Sequence, residues 1–167
     1  FAEQEGLRTM SDLAAYVTAG KPTKLAASDE FFNNADANPA FEDTYGYTLQ
    51  EDQKLVLSGG NTAQTEKAVA DGTDGVNFGM AYGTDGALAD LGLVVLADDK
   101  GAQLVYWPVP ISRVDVIEQY PEVEGLLEPA FDALDLETLQ ALNARIQVNG
   151  EAADAVARDF LTARGLL

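Results

Sequence analysis

Apolar residues in this chain fall into short blocks whose spacing changes along the sequence. Residues 24–27, 54–57, 76–81, 91–97 and 103–109 are short, largely apolar runs. That is the pattern of strands buried on both faces. Between the runs the spacing lengthens to the three and four of a helix face. Ser11-Asp12-Leu13 reads as a helix start, with Leu13, Tyr16 and Val17 on one face and Gly20 as the stop. The run at 24–27 closes in Ser28-Asp29-Glu30. Residues 36–45 predict a helix with Pro39 in its first turn. Gly59-Gly60-Asn61-Thr62 predicts a turn into a helix through residue 70, ended by Gly72.

Strands separated by helices of about ten residues predict βαβ units and a mostly parallel sheet. The pattern changes after Arg113. Helices are expected over 114–120, 123–134, 136–146 and 151–163. The last puts Val156, Phe160 and Leu161 on one side and Gly165 beyond its end. The chain therefore divides into an α/β lobe over 1–105 and a helical tail over 106–167. The tail is rich in apolar residues and has no strand of its own. It is expected to pack on something, part of which lies outside this chain.

Composition narrows the function classes. Lys plus Arg is 10 against Asp plus Glu 28, a formal net charge of −18. Nucleic acid would be repelled, and so would an anionic membrane surface. A solvated surface suited to a salty or extracytoplasmic setting accounts for the charge. His and Cys are both absent. Disulfides, Cys/His metal sites and Ser-His-Asp or Cys-His catalysis are therefore excluded. No run approaches the ~20 apolar residues of a membrane span. The chain opens on Phe1 without a leader, which reads as a processed or truncated product.

The candidate chemistry concentrates between residues 78 and 110. Tyr82 closes one apolar run, immediately before Gly83-Thr84-Asp85-Gly86, and Tyr106 lies in a later run beside Trp107. A tyrosine at a strand end is by default a half-buried packing residue, but such rings also line ligand clefts. Thr84 and Asp85 read either as a loop closing on a ligand or as a turn held by local hydrogen bonds. Trp107 would point away from Tyr106 on a strand and pack instead. Asp98-Asp99 resembles a catalytic dyad only on paper, because adjacent residues of an extended chain diverge. Residues 98–101 read as a turn between strands. Gly59-Gly60-Asn61-Thr62 lacks the Lys-Ser/Thr ending of a phosphate-binding loop.

Taken in order, the motifs resemble the substrate-binding proteins of osmoprotectant ABC transporters, the glycine betaine/choline/carnitine group. The matching pieces are GLRTMSDL at 6–13, Asp29-Glu30-Phe31 followed by Pro39 and Tyr45-Gly46-Tyr47, and Gln64 to Asp74. They continue with Gly79 to Gly86, LVVLADDK at 93–100, and a tail carrying Asn143, Val156-Ala157, Phe160-Leu161 and Gly165-Leu166. Each piece is weak alone; their joint order over nearly the whole chain is specific.

The resemblance implies a type II periplasmic-binding-protein-like lobe with a mostly parallel sheet flanked by helices. To this it adds a C-terminal helical tail from the other lobe. Residues 1–105 would be the second lobe of a two-lobed protein. Residues 106–167 would be the hinge crossover and closing helices of an incomplete first lobe. It further implies a binding protein, with no reaction to catalyse and no cofactor. A small quaternary-ammonium ligand would be held in an aromatic box and delivered to an ABC transporter permease in a periplasmic or extracytoplasmic compartment. Membrane contact would come only through the permease or an anchor outside this chain. A trimethylammonium group donates no hydrogen bond, but its diffuse charge suits π faces. Tyr82 and Tyr106 match the two aromatic positions this part of the family contributes. Asn34 falls about where carboxylate-binding members carry a basic residue, which points toward choline or toward a carboxylate held elsewhere. Two other readings stand beside this one: a fragment that acts only as an interaction unit, and an α/β enzyme using Asp85 or Asp98.

Overall fold

The computed structural model describes residues 1–104 and 108–167. Tyr106 and Trp107, and the centre of the strand expected over 103–109, lie outside the described residues. The chain forms two compact units, one of residues 1–83 and 87–104, the other of residues 84–86 and 105–167.

The first unit opens with helices α1 (Ala2–Glu5) and α2 (Met10–Thr18), followed by strand β1 (Leu25–Ser28). Helices α3 (Asp29–Asn33) and α4 (Asn38–Tyr45), strand β2 (Lys54–Leu57), helix α5 (Thr62–Asp71) and strand β3 (Phe78–Gly79) follow. The sheet is parallel, in the order β2-β1-β3. Leu25 pairs with Lys54 on one side and with Phe78 on the other. A central parallel strand is buried on both faces, and β1 meets that demand with alanines. Ala26 and Ala27 are both 0% exposed. Ala26 packs with Ala68 and Val76, while Ala27 joins Ala14, Phe32, Tyr45, Tyr47 and Leu49. The strand's twofold alternation thus sends one methyl to the α5 side and one to the side of α2, α3 and α4.

Local chemistry sets the helix ends. Thr9, one residue before α2, accepts the Asp12 N–H at 3.1 Å, and the Asp12 carboxylate accepts the Thr9 N–H at 2.9 Å. This capping box starts the helix before the Ser11 read from sequence. Ser28 caps α3, a helix the sequence pattern did not separate from the strand end. Asp29 and Glu30 sit in its first turn, where the helix dipole favours acids.

Three expected strands are shorter than predicted or absent. The pairing of β3 is confined to residues 78–79. Met80 still donates to the Ala26 carbonyl at 2.8 Å, but its own carbonyl accepts the Thr65 hydroxyl, and the ladder ends there. Residues 91–97 form a turn and an extended stretch, with Val94 63% and Val95 51% exposed. Their end pairs with the entrance of α2: Met10 donates to the Ala97 carbonyl at 2.8 Å and Ala97 to the Arg8 carbonyl at 2.9 Å. At 103–109 the described residues form no strand, and the Gln103 N–H is taken by the Asp98 carboxylate.

In the second unit the described elements are helices: α6 (Val114–Gln119), α7 (Glu122–Asp132), α8 (Leu136–Gln147) and α9 (Ala153–Ala163). Asp135 caps α8 by accepting the Thr138 N–H at 2.8 Å. Arg145, in the last turn of α8, forms a two-pronged pair with Glu151 and reaches Asp159 of α9 at 2.8 Å. Val156 of α9 is 1% exposed.

Candidate functional site

In open parallel sheets ligands gather outside the carboxyl ends of the strands. The loop leaving β3 carries Tyr82, while Asn34 follows α3, the short helix that continues directly from β1, the neighbour of β3 in the sheet. Beneath these loops the strand ends are tied together. Ser28 accepts the Phe31 N–H at 3.1 Å and its hydroxyl faces the Met80 sulfur at 3.9 Å. Gly79 lies so close to α5 that a methyl there would stand 2.6 Å from Val69 Cγ2. Tyr82 leaves this tightly packed base with 64% of its surface exposed. An exposed ring at the carboxyl end of a parallel strand is chemically fit to receive a cation on its face.

The loop after Tyr82 turns at Gly83-Thr84, and residues far along the chain hold it as well. Asn143 Nδ2 donates to the Thr84 carbonyl at 2.8 Å, and the Gly86 N–H donates to Gln147 Oε1 at 3.1 Å. Both partners lie on α8, so these two anchors come from far along the chain. A Cβ on Gly86 would stand 2.2 Å from the Ala144 nitrogen, so glycine is required for this approach. Asp85 is buried. Sequence reading placed Asn143 among the matching tail residues without a role, and did not single out Gln147. No local pattern marks either as a partner of Thr84 or Gly86.

Asn34 is exposed at the end of α3. Its Oδ1 accepts the Asp36 N–H at 3.0 Å, an Asx turn that shapes the loop. It brings no charge to the strand ends. Tyr106 lies outside the described residues.

The Asp98-Asp99 pair is a structural latch. Asp98 accepts the Tyr45 hydroxyl, the Ala102 N–H at 3.0 Å and the Gln103 N–H at 2.8 Å. Asp99 turns to Ser11, accepting its N–H at 3.1 Å and its hydroxyl at 2.6 Å. The two carboxylates, at the start of a turn, are thus taken up by separate partners of the fold. Burial opposes the Asp98 charge, but the Tyr45 hydroxyl and the N–H groups of Gln103, Ala102 and Gly101 outweigh it. They hold the carboxyl below the usual aspartate range. Burial, and then the bond to Asp98, push the Tyr45 phenol up to about 12. Asn61 caps α5 by accepting the Ala63 N–H at 2.9 Å, which gives the Gly59-Gly60 turn an ordinary capping role. Among the described residues no group of three or more carboxylates is placed to hold a metal ion. Among them, too, no helix is long and apolar enough to cross a membrane.

Comparison with known proteins assigns the arrangement. Residues 1–163 match the OpuAC family, the substrate-binding domain of ABC-type glycine betaine transport systems. The chain is 50% identical over 164 residues to the glycine betaine-binding protein YehZ of Escherichia coli K12, covering 98% of this chain and 54% of that protein. It is 31% identical over 172 residues to a glycine-betaine-binding protein of Pseudomonas aeruginosa, covering 99% and 54%. The solved structure of apo YehZ from Escherichia coli superposes with a TM-score of 0.78 at 49% identity, covering 99% of this chain and 59% of that one. The chain thus spans about half the length of the curated relatives it matches. The fold is the α/β architecture of type II periplasmic-binding-protein-like ABC substrate-binding proteins. The family binds solutes and is not one of enzymes. With a family match across residues 1–163 and half its residues shared with YehZ, this chain belongs to the substrate-binding domain family of ABC-type glycine betaine transport systems.

Proposed function

We propose that the complete protein captures a small quaternary-ammonium osmolyte outside the cytoplasm and hands it to an ABC transporter permease. Tyr82 and Tyr106 would contribute rings to an aromatic box for the cation. The observation that carries this reading is the family match over residues 1–163, together with two relatives named for glycine betaine binding. The exposed ring of Tyr82 beyond β3 supports it. Each ring facing the cation contributes about 0.5–2 kcal/mol, depending on how far the pair is desolvated.

Glycine betaine is the first ligand to test. Asn34 offers hydrogen bonding without charge, so the betaine carboxylate would be met by residues of the longer protein, and choline and carnitine are the informative comparators. Residues 1–105 would be one lobe of the complete protein. Residues 106–167 would be the crossover and the closing helices of the other, and capture would proceed by closure about that crossover.

Calorimetric titration of the full-length protein with glycine betaine, choline and carnitine tests this reading. Affinity is expected to fall in Tyr82→Ala and Tyr106→Ala, and unchanged affinity in both variants removes the aromatic box. A second reading is favoured by chain length: the 167-residue chain covers 54% of its relatives, so alone it would bind no ligand. Titrating this chain beside the full-length protein separates the two readings.

A further inference from the structure

The end of β3 lies within the first unit, and so do the groups that set it. A parallel ladder is built of evenly spaced rungs. Met80 donates to the Ala26 carbonyl at 2.8 Å, so the next rung would bring the Ser28 N–H to the Met80 carbonyl. That carbonyl accepts the Thr65 hydroxyl of α5 instead. Thr65 is 1% exposed, and the Thr62 carbonyl stands 2.8 Å from the same hydroxyl, so two acceptors bracket its one proton. Gly79 lets α5 lie close to the strand, since a Cβ there would come within 3.2 Å of the Thr65 carbonyl oxygen.

Side-chain alternation shows what ending the ladder changes. Gly79 faces α5, whereas Met80 packs on the cluster that contains Ala27 and Phe32. Only Ala81 separates Met80 from Tyr82. A strand carried on through Tyr82 would send its ring to the side of Met80, against that cluster. With the ladder ended at Met80, the ring is 64% exposed. We propose that Thr65 is a positioning residue for ligand capture: its hydroxyl ends β3 at Met80 and so frees the Tyr82 ring for a cation. The proposal rests on the assignment of Tyr82 to the ligand site. A ring already presented before the ligand arrives avoids the cost of rearranging on binding.

Thr65→Val keeps the side-chain shape and loses the hydroxyl, while Thr65→Ser keeps the hydroxyl and loses the methyl. In the full-length protein, Thr65→Val is expected to weaken glycine betaine binding about tenfold, and Thr65→Ser to stay within about twofold of wild type. Thr65→Ala, which loses the hydroxyl without adding apolar bulk, is expected to follow Thr65→Val and is read alone if Thr65→Val does not fold. A fluorine label on the Tyr82 ring reports its exposure without ligand, through the solvent isotope shift of the NMR signal. That shift is expected to be large in wild type and Thr65→Ser and reduced in the two hydroxyl-free variants. An unaltered isotope shift in the hydroxyl-free variants, or equal losses of affinity in Thr65→Ser and Thr65→Val, overturns the proposal. Wild-type affinity in the hydroxyl-free variants beside a loss in Tyr82→Ala removes the role of Thr65 in capture while sparing the site. A Tyr82→Ala variant that keeps wild-type affinity removes the site and the capture role together, and the isotope shift then decides whether Thr65 sets the ring.

Discussion

In residues 1–83 and 87–104, β1 is buried to its alanines between two apolar clusters. In residues 84–86 and 105–167, Val156 is the one buried apolar side chain among the described residues, and Ile111 is 94% exposed. Val114, Leu126 and Leu136 of the second unit are exposed as well. Its apolar side chains Leu139, Leu142, Ile146, Phe160 and Leu161 are only half-buried, and beside them stand polar ties: the Asn143 and Gln147 bonds to the loop at 84–86, the Asp135 cap, and Arg145 with Glu151 and Asp159. The contrast teaches that amphipathic helices form from local pattern, but the burial that stabilises them needs an opposing surface. The first unit has such a surface in its sheet. The second presents apolar helix faces in a chain about half as long as its relatives.

The largest effect that sharpens this contrast is expected in the first core. Phe32, at 9% exposure beside Tyr45 and Tyr47, should cost about 3–5 kcal/mol when cut to alanine, read as a shifted midpoint in urea unfolding. A cost below about 1 kcal/mol would mean that this unit is not core-held either.

The Asp98 latch should come next. Tyr45→Phe removes a donor to a charged carboxylate and is expected to cost about 1.5–3 kcal/mol near neutral pH. Its pH dependence has two limbs. Asp98 has a depressed folded pKa, so its contribution is present above the ordinary aspartate value of about 4 and is lost as pH falls through the folded value. Tyr45 is raised to about 12, so its contribution is present below the ordinary tyrosine value of about 10 and is lost as pH rises toward 12. The gap between wild type and Tyr45→Phe should therefore be widest between these limits and close on the alkaline side. A gap that persists above pH 12 would break the assignment.

The smallest effect belongs to the second unit. Arg145→Ala breaks pairs whose acids are 37% exposed at Glu151 and 63% exposed at Asp159, and exposed pairs contribute about 0–1 kcal/mol. The expected loss is under about 1 kcal/mol and should shrink in molar salt, where the Debye length is about 3 Å. A loss of several kcal/mol, insensitive to salt, would show this cluster acting as a core and erase the contrast.

Legibility in the sequence followed the range of the interactions. The tail helices and α2, α4 and α5 were readable because three-to-four spacing, Pro39 and the terminal glycines act within a few residues. The run at 91–97 misled because apolar residues alone do not make a strand; its end found hydrogen-bond partners at the entrance of α2 rather than on the sheet. For the candidate site, Tyr82 and Asn34 were nameable from motif order. The Asx turn that engages Asn34, and the α8 amides that hold Thr84 and Gly86, were not.

By itself, then, the sequence determined the alternation of elements, the parallel sheet and the family, because each rests on local periodicity or on the order of short motifs. Tertiary structure alone decided that Asp98 meets Tyr45, that Asp99 meets Ser11, and that Gly86 lies against Ala144 with Gln147 at its N–H. Those contacts join residues more than fifty positions apart, and a hydrogen-bond donor carries no local mark of which distant acceptor the fold will bring to it.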